Sequence, residues 1–349
     1  MGEIAGLPEI WGFYLYMDKL QLDGITIEVT NHCQLKCAIC GIGGEAARQQ
    51  IAADDFVLMM DRLQERFDLQ WVSVTGGEPF LHPQLREILR SLARLKLKQK
   101  LESFGVYTNG IATRKIQALL TQERKYLSGM RIGISLDGLQ SAHDRRRGRG
   151  SYCKTMATLN WLSRECSGIY DLEVKFTVGM DNVADMLNVY RLATSLGARF
   201  SPKLLESGVS AYYHRHQDGA ASLVLPWGNE ECLFQIRSVM REDIQSRRKA
   251  VDLKALKVLL CLVRDGQRVI RHCRTPERCL FVTSCGKVYP CLYMAPAGTI
   301  YTSDFPGEDF FKERQRQIAT GEQGKCSRCF AYHGFMKDFN FDPDLGNLL

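Results

Sequence analysis

Three of the thirteen cysteines stand close together near one end of the sequence, as Cys33, Cys37 and Cys40. Thiolates at this spacing can bind three irons of an iron–sulfur cubane, which normally takes four cysteines. The fourth iron then stays open for a ligand from outside the protein, as catalytic metal sites keep an open position. The alternative is a structural zinc site that takes its fourth ligand elsewhere, for example from His32.

A second set of cysteines lies in the C-terminal part of the sequence. It comprises Cys273, Cys291, Cys326 and Cys329. A β-rich run, a glycine at Gly286 and a second run closing on Cys291 predict a hairpin. Four thiolates brought together complete either a fully ligated iron–sulfur cluster or a zinc site. Cys279 competes with Cys273 for the first ligand position, and the spacing to Gly286 favours Cys273.

A glycine-rich turn, Gly76-Gly77-Glu78-Pro79, follows the second predicted strand. Two glycines allow a ligand to approach the backbone closely. The carboxylate of Glu78 suits an ammonium group. By itself the motif is equally typical of a tight turn. Its place one strand and one helix after the three-cysteine loop favours a functional interpretation.

Alternating strand and helix patterns predict the fold that positions these residues. The predicted strands are Ile25–Thr30, Trp71–Thr75, Phe104–Thr108, Arg131–Asp137, Glu173–Val178 and Ala198–Leu204. Helical patterns lie between them near residues 46–67, 83–97, 112–124, 151–165 and 183–196. This alternation predicts an α/β fold with a parallel sheet. Six strands are too few for a closed eight-stranded barrel, so we expect an open, partial (β/α)6 barrel.

Polar and apolar residues alternate along several of these strands. In the fifth, Val174, Phe176 and Val178 alternate with Glu173, Lys175 and Thr177. Because side chains of a strand point alternately to its two faces, one face meets the helices and the other lines a polar lumen. Lys175, Lys203 and Glu206 are candidate catalytic residues that would accept protons in this lumen.

Length and composition are those of one large domain with a smaller appendage. The chain has 349 residues, 45% hydrophobic and 24% charged, with a net charge of +7. No apolar run is long enough to span a bilayer, and no basic motif with interleaved aromatics indicates nucleic acid binding. Clustered cysteines without disulfide architecture favour metal binding and a cytoplasmic location. We expect no membrane or nucleic acid partner.

The cysteine loop and the Gly76-Gly77-Glu78-Pro79 turn together resemble the radical S-adenosylmethionine (SAM) superfamily. The resemblance covers about residues 24–206. It implies a [4Fe–4S] cluster on Cys33, Cys37 and Cys40 whose open iron chelates SAM. Reductive cleavage of SAM in this family yields a 5′-deoxyadenosyl radical that abstracts a hydrogen atom from the substrate. A reductant such as flavodoxin or ferredoxin is an expected partner.

The resemblance also implies a set of SAM-binding residues at the strand ends. They are Gly76, Gly77, Glu78, Pro79, Thr108, Asn109, Ser135, Asp137 and Arg147. In the family the glycine-rich strand end binds the methionine amino group of SAM. Arg147 would pair with the SAM carboxylate.

The C-terminal cysteines resemble the auxiliary-cluster domains of this superfamily that are called SPASM and, in a shorter form, twitch. With no cysteine after Cys329, the shorter form and a single second [4Fe–4S] cluster are implied. The expected organisation is an extension (1–22), the barrel (23–206), a loop and connecting helices (207–266), a twitch domain capping the barrel mouth (267–335) and a tail (336–349).

For the substrate we expect a small polar metabolite such as a sugar, aminocyclitol or nucleotide, undergoing oxidation or epimerisation. Peptide-modifying relatives often carry an N-terminal peptide-binding domain, for which a first strand at residue 25 leaves no room. GTP-cyclising relatives end in Gly-Gly-Arg, unlike this chain, so that activity is not expected. Radical modification of a ribosomally made peptide is the alternative. An alternative of another class is a non-catalytic iron–sulfur protein that carries electrons.

Overall fold

The computed structural model describes residues 22–42, 47–205, 221–265, 275–292 and 294–320. The predicted ligands Cys273, Cys326 and Cys329 lie outside these residues, as does Glu206.

Six parallel strands form the predicted partial barrel. They are β1 (Gly24–Thr30), β2 (Trp71–Gly76), β3 (Ser103–Thr108), β4 (Arg131–Ser135), β5 (Asp171–Val178) and β6 (Arg199–Leu204). Each strand pairs in parallel with the next along the chain. In the sheet that the described residues form, β6 is an edge strand, so the barrel is open. The fold class predicted from the sequence is confirmed.

The helices follow the strands as the sequence pattern predicts. They are α1 (Ala53–Arg66), α2 (Leu85–Leu97), α3 (Thr113–Gln122), α4 (Gln140–Arg147), α5 (Ser151–Glu165) and α6 (Met186–Ser195). Only α4 was not predicted, because its eight residues carry four charges and little apolar periodicity. The strands bury their apolar side chains, such as Ile27 and Val174, in one continuous core.

One predicted helical stretch, residues 228–264, is two helices in the structure, α7 (Glu230–Ser246) and α8 (Leu253–Asp265). The side chain of Asn229 caps α7 by accepting a hydrogen bond from the Cys232 amide at 2.8 Å. Between the helices, Arg247 and Lys249 have positive φ angles, which interrupt the helical path. Helix α7 packs against α6, where Gln235 accepts a hydrogen bond from the Leu187 amide.

The C-terminal part contains the predicted hairpin. Its elements are α9 (Thr275–Arg278), β7 (Cys279–Val282), β8 (Lys287–Tyr289), β9 (Gly298–Thr299) and α10 (Glu308–Thr320). Gly286 makes the turn with a φ of 79°. Strand β7 pairs in parallel with β1 and extends the same sheet, and the small domain expected over residues 267–335 stays a prediction. The buried carboxylate of Glu28 strengthens this junction by accepting a hydrogen bond from the Ser284 amide at 3.0 Å.

Among the described residues, every helix is too short or too polar to cross a lipid bilayer.

The ring of Tyr107 on β3 lies against Gly133, the residue paired with it on the neighbouring strand β4. A Cβ atom at Gly133 would come within 2.2 Å of the Tyr107 ring. We therefore expect Gly133→Ala to displace the ring and to lower the free energy of unfolding by about 1–3 kcal/mol, as overpacking does. Urea unfolding measures the change. Gly298→Ala is the control, because its Cβ would lie 3.2 Å from Phe310, where a small shift suffices. Equal stability of the two variants would contradict this packing.

Candidate active site

The three-cysteine loop leaves the carboxyl end of β1 and is held by its neighbours on the sheet. The Ala38 amide donates a hydrogen bond to the carbonyl of Arg146, at the end of α4, at 2.9 Å. At the end of β3, the side-chain amide of Asn109 lies 3.7 Å from the Sγ atom of Cys33. The loop is thus fixed to the edge at which the parallel strands end, where ligand sites of such sheets form.

The thiols of this loop are suited to binding iron rather than to being free thiolates. Burial raises the pKa of Cys33 to about 12 and the pKa of Cys37 to about 11. Iron must therefore displace their protons. The cation of Arg147 acts in the opposite direction on Cys37 and Cys40, because it favours their charged forms.

The described residues contain no group of three or more His, Cys, Asp or Glu side chains that could hold a single metal ion. In an iron–sulfur cubane each of the three thiolates would bind a different iron.

Gly76 and Gly77 bring the end of β2 against the chain that enters the cysteine loop. A Cβ atom at Gly76 would lie 2.3 Å from the Thr30 carbonyl oxygen, and one at Gly77 would lie 2.5 Å from that of His32. The Gly77 amide donates a hydrogen bond to Thr30 at 2.7 Å. Contact within the protein is therefore sufficient to require glycine at both positions, and their contact with SAM stays a prediction.

Glu78 joins the ends of β2 and β3. Its carboxylate is fully buried and accepts hydrogen bonds from the Thr108 hydroxyl at 2.7 Å, the Asn109 amide at 2.9 Å and the Phe80 amide at 3.1 Å. Burial raises the pKa of Glu78 to about 7 in spite of these donors. Pro79 follows as the first residue of a short, buried 3₁₀ turn.

Asp137 and Arg147 form a buried ion pair beside the cysteine loop. The Arg147 Nε lies 2.6 Å from the Asp137 Oδ2. The other carboxylate oxygen of Asp137 accepts a hydrogen bond from the Thr177 amide, so the pair also ties the end of β4 to β5. Although burial opposes it, the Arg147 and Arg146 cations hold the pKa of Asp137 below its usual range.

The remaining predicted residues within the described ranges, Ser135, Lys175 and Lys203, lie on β4, β5 and β6. Lys175 places its ammonium 3.2 Å from a Glu173 oxygen, 3.0 Å from the Ser201 hydroxyl and 5.0 Å from the Tyr107 ring centroid. The role of Lys175 as a proton acceptor stays a prediction. Lys203 is exposed and near Cys40, and Ser135 is half-buried opposite Lys175.

Comparison with known proteins identifies this region. Residues 27–193 match the family model of the Radical SAM superfamily. Over this part, slightly less than half of its length, the chain is similar to Radical SAM proteins. The match covers β2 to β5 and the last four residues of β1, and it ends before β6. The Radical SAM family implies a [4Fe–4S] cluster and SAM.

Relatives and solved structures carry names that bear on the substrate. The "Antilisterial bacteriocin subtilosin biosynthesis protein AlbA" of Bacillus subtilis is 33% identical over 50% of this chain and 37% of its own length. A "Probable GTP 3',8-cyclase" of Methanocaldococcus jannaschii is 20% identical over 78% of this chain and 85% of its own. The structure of Streptococcus suis SuiB "bound to precursor peptide SuiA" superposes with a TM-score of 0.56 at 15% identity, over 81% of this chain and 63% of that one. The chain thus spans less than half the length of AlbA.

Several residues of the matched part of the chain that organise the site were not singled out from the sequence. Asn182 donates hydrogen bonds to the carbonyls of Asp137 and Thr177. Asp181 forms an ion pair with the fully buried Arg146. The signal that could have found them is their position directly after the fifth strand, equivalent to the strand ends that were examined.

In the C-terminal part, Cys291 is half-buried just after β8, and Cys279 is buried as the first residue of β7. The other three predicted ligands of this set lie outside the described residues.

The raised pKa of Glu78 predicts a pH dependence of stability. A carboxyl whose pKa is about 7 when folded and about 4.3 when unfolded keeps its proton longer in the folded state. Its contribution to stability is therefore fully present below about pH 4.3 and is lost as the pH rises from there to about 7, by up to about 4 kcal/mol. Glu78→Gln removes this loss, so the stability of the variant relative to wild type should rise between pH 5 and pH 8. Urea unfolding of the metal-free proteins measures it.

The control for this experiment is Glu87→Gln, on the exposed face of α2. Equal pH dependence of Glu78→Gln and wild type would show that Glu78 is ionised in the folded protein at pH 5.

Proposed function

We propose that the protein is a radical SAM enzyme that modifies a peptide. The observation that carries the proposal is the convergence of three thiols, a buried ion pair and two strand ends at one edge of an open parallel barrel. When bound, the cluster and SAM supply a 5′-deoxyadenosyl radical that abstracts hydrogen from the substrate. Cys33, Cys37 and Cys40 would hold the cluster. The chain otherwise orients SAM and shields the radical from water.

Arg147 is the proposed partner of the SAM carboxylate. Its Nε is committed to Asp137, and among the described residues its terminal nitrogens have no hydrogen-bonding partner. The guanidinium lies close enough to Cys37 and Cys40 to offset part of the rise in pKa that burial causes at both thiols. A carboxylate next to the cysteine loop would therefore find a preoriented cation.

In this proposal Glu78 positions Asn109 beside the cysteine loop. Sequence reasoning gave Glu78 a direct contact with the SAM ammonium group, but its complete burial and its three donors favour a positioning role. By accepting from the Thr108 hydroxyl and the Asn109 amide, Glu78 holds the β3 end in place. The Asn109 side chain is then directed to the Cys33 sulfur.

A peptide is the proposed substrate, in place of the small metabolite that the sequence favoured. AlbA, the relative with 33% identity, is named for the biosynthesis of a bacteriocin, a ribosomally made peptide. The fold is shared with SuiB, whose structure holds a precursor peptide. An open barrel edge at β6 suits an extended chain better than an enclosed cavity would.

A small metabolite is the second candidate. The similarity to the probable GTP cyclase extends over 78% of this chain, which is more than the similarity to AlbA covers. The identity of 20% is lower, however, and for this reason we place the peptide first.

We further propose that the C-terminal cysteines hold an auxiliary [4Fe–4S] cluster, as the twitch resemblance implies. Support comes from the hairpin that presents Cys291 and from its junction with β1, the strand that leads into the cysteine loop. A flavodoxin or ferredoxin is the proposed reductant.

Arg147→Gln should weaken SAM binding tenfold or more. A hydrogen bond between charged groups contributes about 1.5–3 kcal/mol, and about 1.4 kcal/mol corresponds to a factor of ten. Isothermal titration of the anaerobically reconstituted protein with SAM measures the affinity, and iron content shows that the cluster is retained. The matched control is Arg149→Gln, two residues further on and exposed. Unchanged SAM affinity in a folded Arg147→Gln protein would remove Arg147 from the SAM site.

The substrate class is tested by following hydrogen transfer. Reconstituted protein is incubated with SAM, dithionite and one of two deuterated pools, a digest of uniformly deuterated protein or a mixture of deuterated nucleotides and sugars. A peptide-modifying enzyme should give deuterated 5′-deoxyadenosine, detected by mass spectrometry, with the peptide pool. Deuterium transfer from the metabolite pool alone would replace the peptide proposal with the second candidate.

A further inference from the structure

A lysine and a glutamate on β5 share one face of the sheet, the face that the sequence pattern assigns to the lumen. The Lys175 ammonium lies 3.2 Å from the Glu173 Oε2. It also lies 3.0 Å from the Ser201 hydroxyl on β6 and 5.0 Å from the ring centroid of Tyr107 on β3. Val174, between the two charged residues, is fully buried in the core on the opposite face. One polar cluster therefore joins side chains of β3, β5 and β6.

The carboxylate of Glu173 is buried and has hydrogen-bonding capacity left. The residue is 7% exposed. Its Oε2 is in the ion pair with Lys175, but among the described residues no donor stands in hydrogen-bonding geometry to this oxygen. Both oxygens of an ionised carboxylate are strong acceptors, and buried acceptors in proteins are normally used. Glu173 can therefore accept a hydrogen bond from a group that does not belong to these strands.

Lys175 supplies a donor directly beside this acceptor. An ammonium group carries several N–H donors, and only one of them is needed for the hydrogen bond to Ser201. The Lys175 side chain is 33% exposed, so part of it can be reached from outside the chain. The cluster thus presents a charged donor and a charged acceptor 3.2 Å apart.

The charges of the cluster indicate which ligand fits. The two arginines of the neighbouring strands, Arg131 and Arg199, both pair with Asp171. Because Lys175 and Glu173 have opposite charges, a phosphate or carboxylate would meet repulsion from the glutamate. A neutral group with a carbonyl oxygen and an N–H on one edge satisfies both side chains at once. The side-chain amide of asparagine or glutamine has such an edge, and so does the lactam edge of a nucleobase.

This cluster lies next to the edge at which the cysteine loop is fixed. Lys175 precedes Thr177 by two residues on β5, which corresponds to roughly 7 Å along a strand. The Thr177 amide donates a hydrogen bond to Asp137, the partner of Arg147. A group bound by the cluster would therefore lie close to the proposed SAM site.

We propose that Lys175 and Glu173 form a substrate subsite that binds an amide edge. The carbonyl oxygen of the ligand accepts a hydrogen bond from Lys175, and its N–H donates one to Glu173. The inference rests on the proposed function and deepens it, because the peptide substrate then carries an asparagine or glutamine side chain at or beside the modified residue. Lys175 acts here as a charged donor that selects the substrate.

Binding of small amides without turnover tests the subsite. Reconstituted protein with SAM and no reductant is titrated with N-acetylglutamine methylamide, with the matched acid N-acetylglutamate methylamide and with guanosine. Saturation-transfer NMR measures the three dissociation constants. The glutamine probe should bind about tenfold more tightly than the glutamate probe, because the acid exchanges a charged hydrogen bond for repulsion by Glu173.

Variants of the cluster should change this preference in a defined way. Glu173→Gln removes the repulsion, so the glutamate probe should now bind to Lys175 at least as tightly as the glutamine probe. Lys175→Met should weaken binding of the glutamine probe about tenfold. The control is Lys154→Met, an exposed cation on α5, which should leave all three constants unchanged. Thermal unfolding shows that each variant is folded, and loss of stability alone would not invert the preference.

The outcomes separate this inference from the proposed function. Equal binding of the glutamine and glutamate probes, saturable binding of neither, or an unchanged preference in folded Glu173→Gln protein would overturn the subsite and leave the proposed function standing. Tighter binding of guanosine than of the glutamine probe would support the amide edge but assign it to a nucleobase, which contradicts the peptide substrate. Absence of 5′-deoxyadenosine formation would overturn the proposed function and leave these binding constants unaffected.

Discussion

All six strands of the barrel end at one edge. The backbone N–H and C=O groups that lie beyond the strand ladders there need hydrogen-bonding partners in a largely buried environment. Two carboxylates meet this constraint. Glu78 accepts hydrogen bonds at the ends of β2 and β3, and Asp137 does the same between β4, β5 and α4. The cysteine loop is fixed to this edge by Arg146 and Asn109. If the edge loosened, the three thiols would lose their fixed positions relative to one another.

At this edge the cation of Arg147 lies close both to the carboxylate of Asp137 and to the thiols of the cysteine loop. Burial makes free thiolates at Cys33 and Cys37 unfavourable, and the cation of Arg147 offsets part of this cost for Cys37. Arg147 is itself held by Asp137, so its position is set before any ligand binds. A site organised in this way gives a negatively charged ligand group an oriented cation without further reorganisation of the chain.

The parts of the fold that depend on local pattern could be predicted from the sequence. The six strands follow from the alternation of β-rich and helical segments, and the cysteine loop follows from its spacing. Residues that act through distant partners could not be predicted. Glu78 contacts a strand that lies 30 residues further along the chain, and Asn182 contacts Asp137 across 45 residues. The short helix α4 was missed because half of its residues are charged and it has little apolar periodicity. The backbone carbonyl of its Arg146 nevertheless accepts the hydrogen bond from Ala38 that holds the cysteine loop. The requirement for glycine at residues 76 and 77 also comes from packing that only the folded chain reveals.

The central claim is that Cys33, Cys37 and Cys40 form the site at which SAM is cleaved. The most direct measurement is the formation of 5′-deoxyadenosine by anaerobically reconstituted protein with SAM and dithionite, quantified by mass spectrometry. The claim predicts formation of 5′-deoxyadenosine by the wild-type protein. It predicts none by the Cys33→Ala, Cys37→Ala, Cys40→Ala variant, which should still bind the iron of the C-terminal cysteines. Formation of 5′-deoxyadenosine at equal rates by both proteins, or by neither, would contradict it.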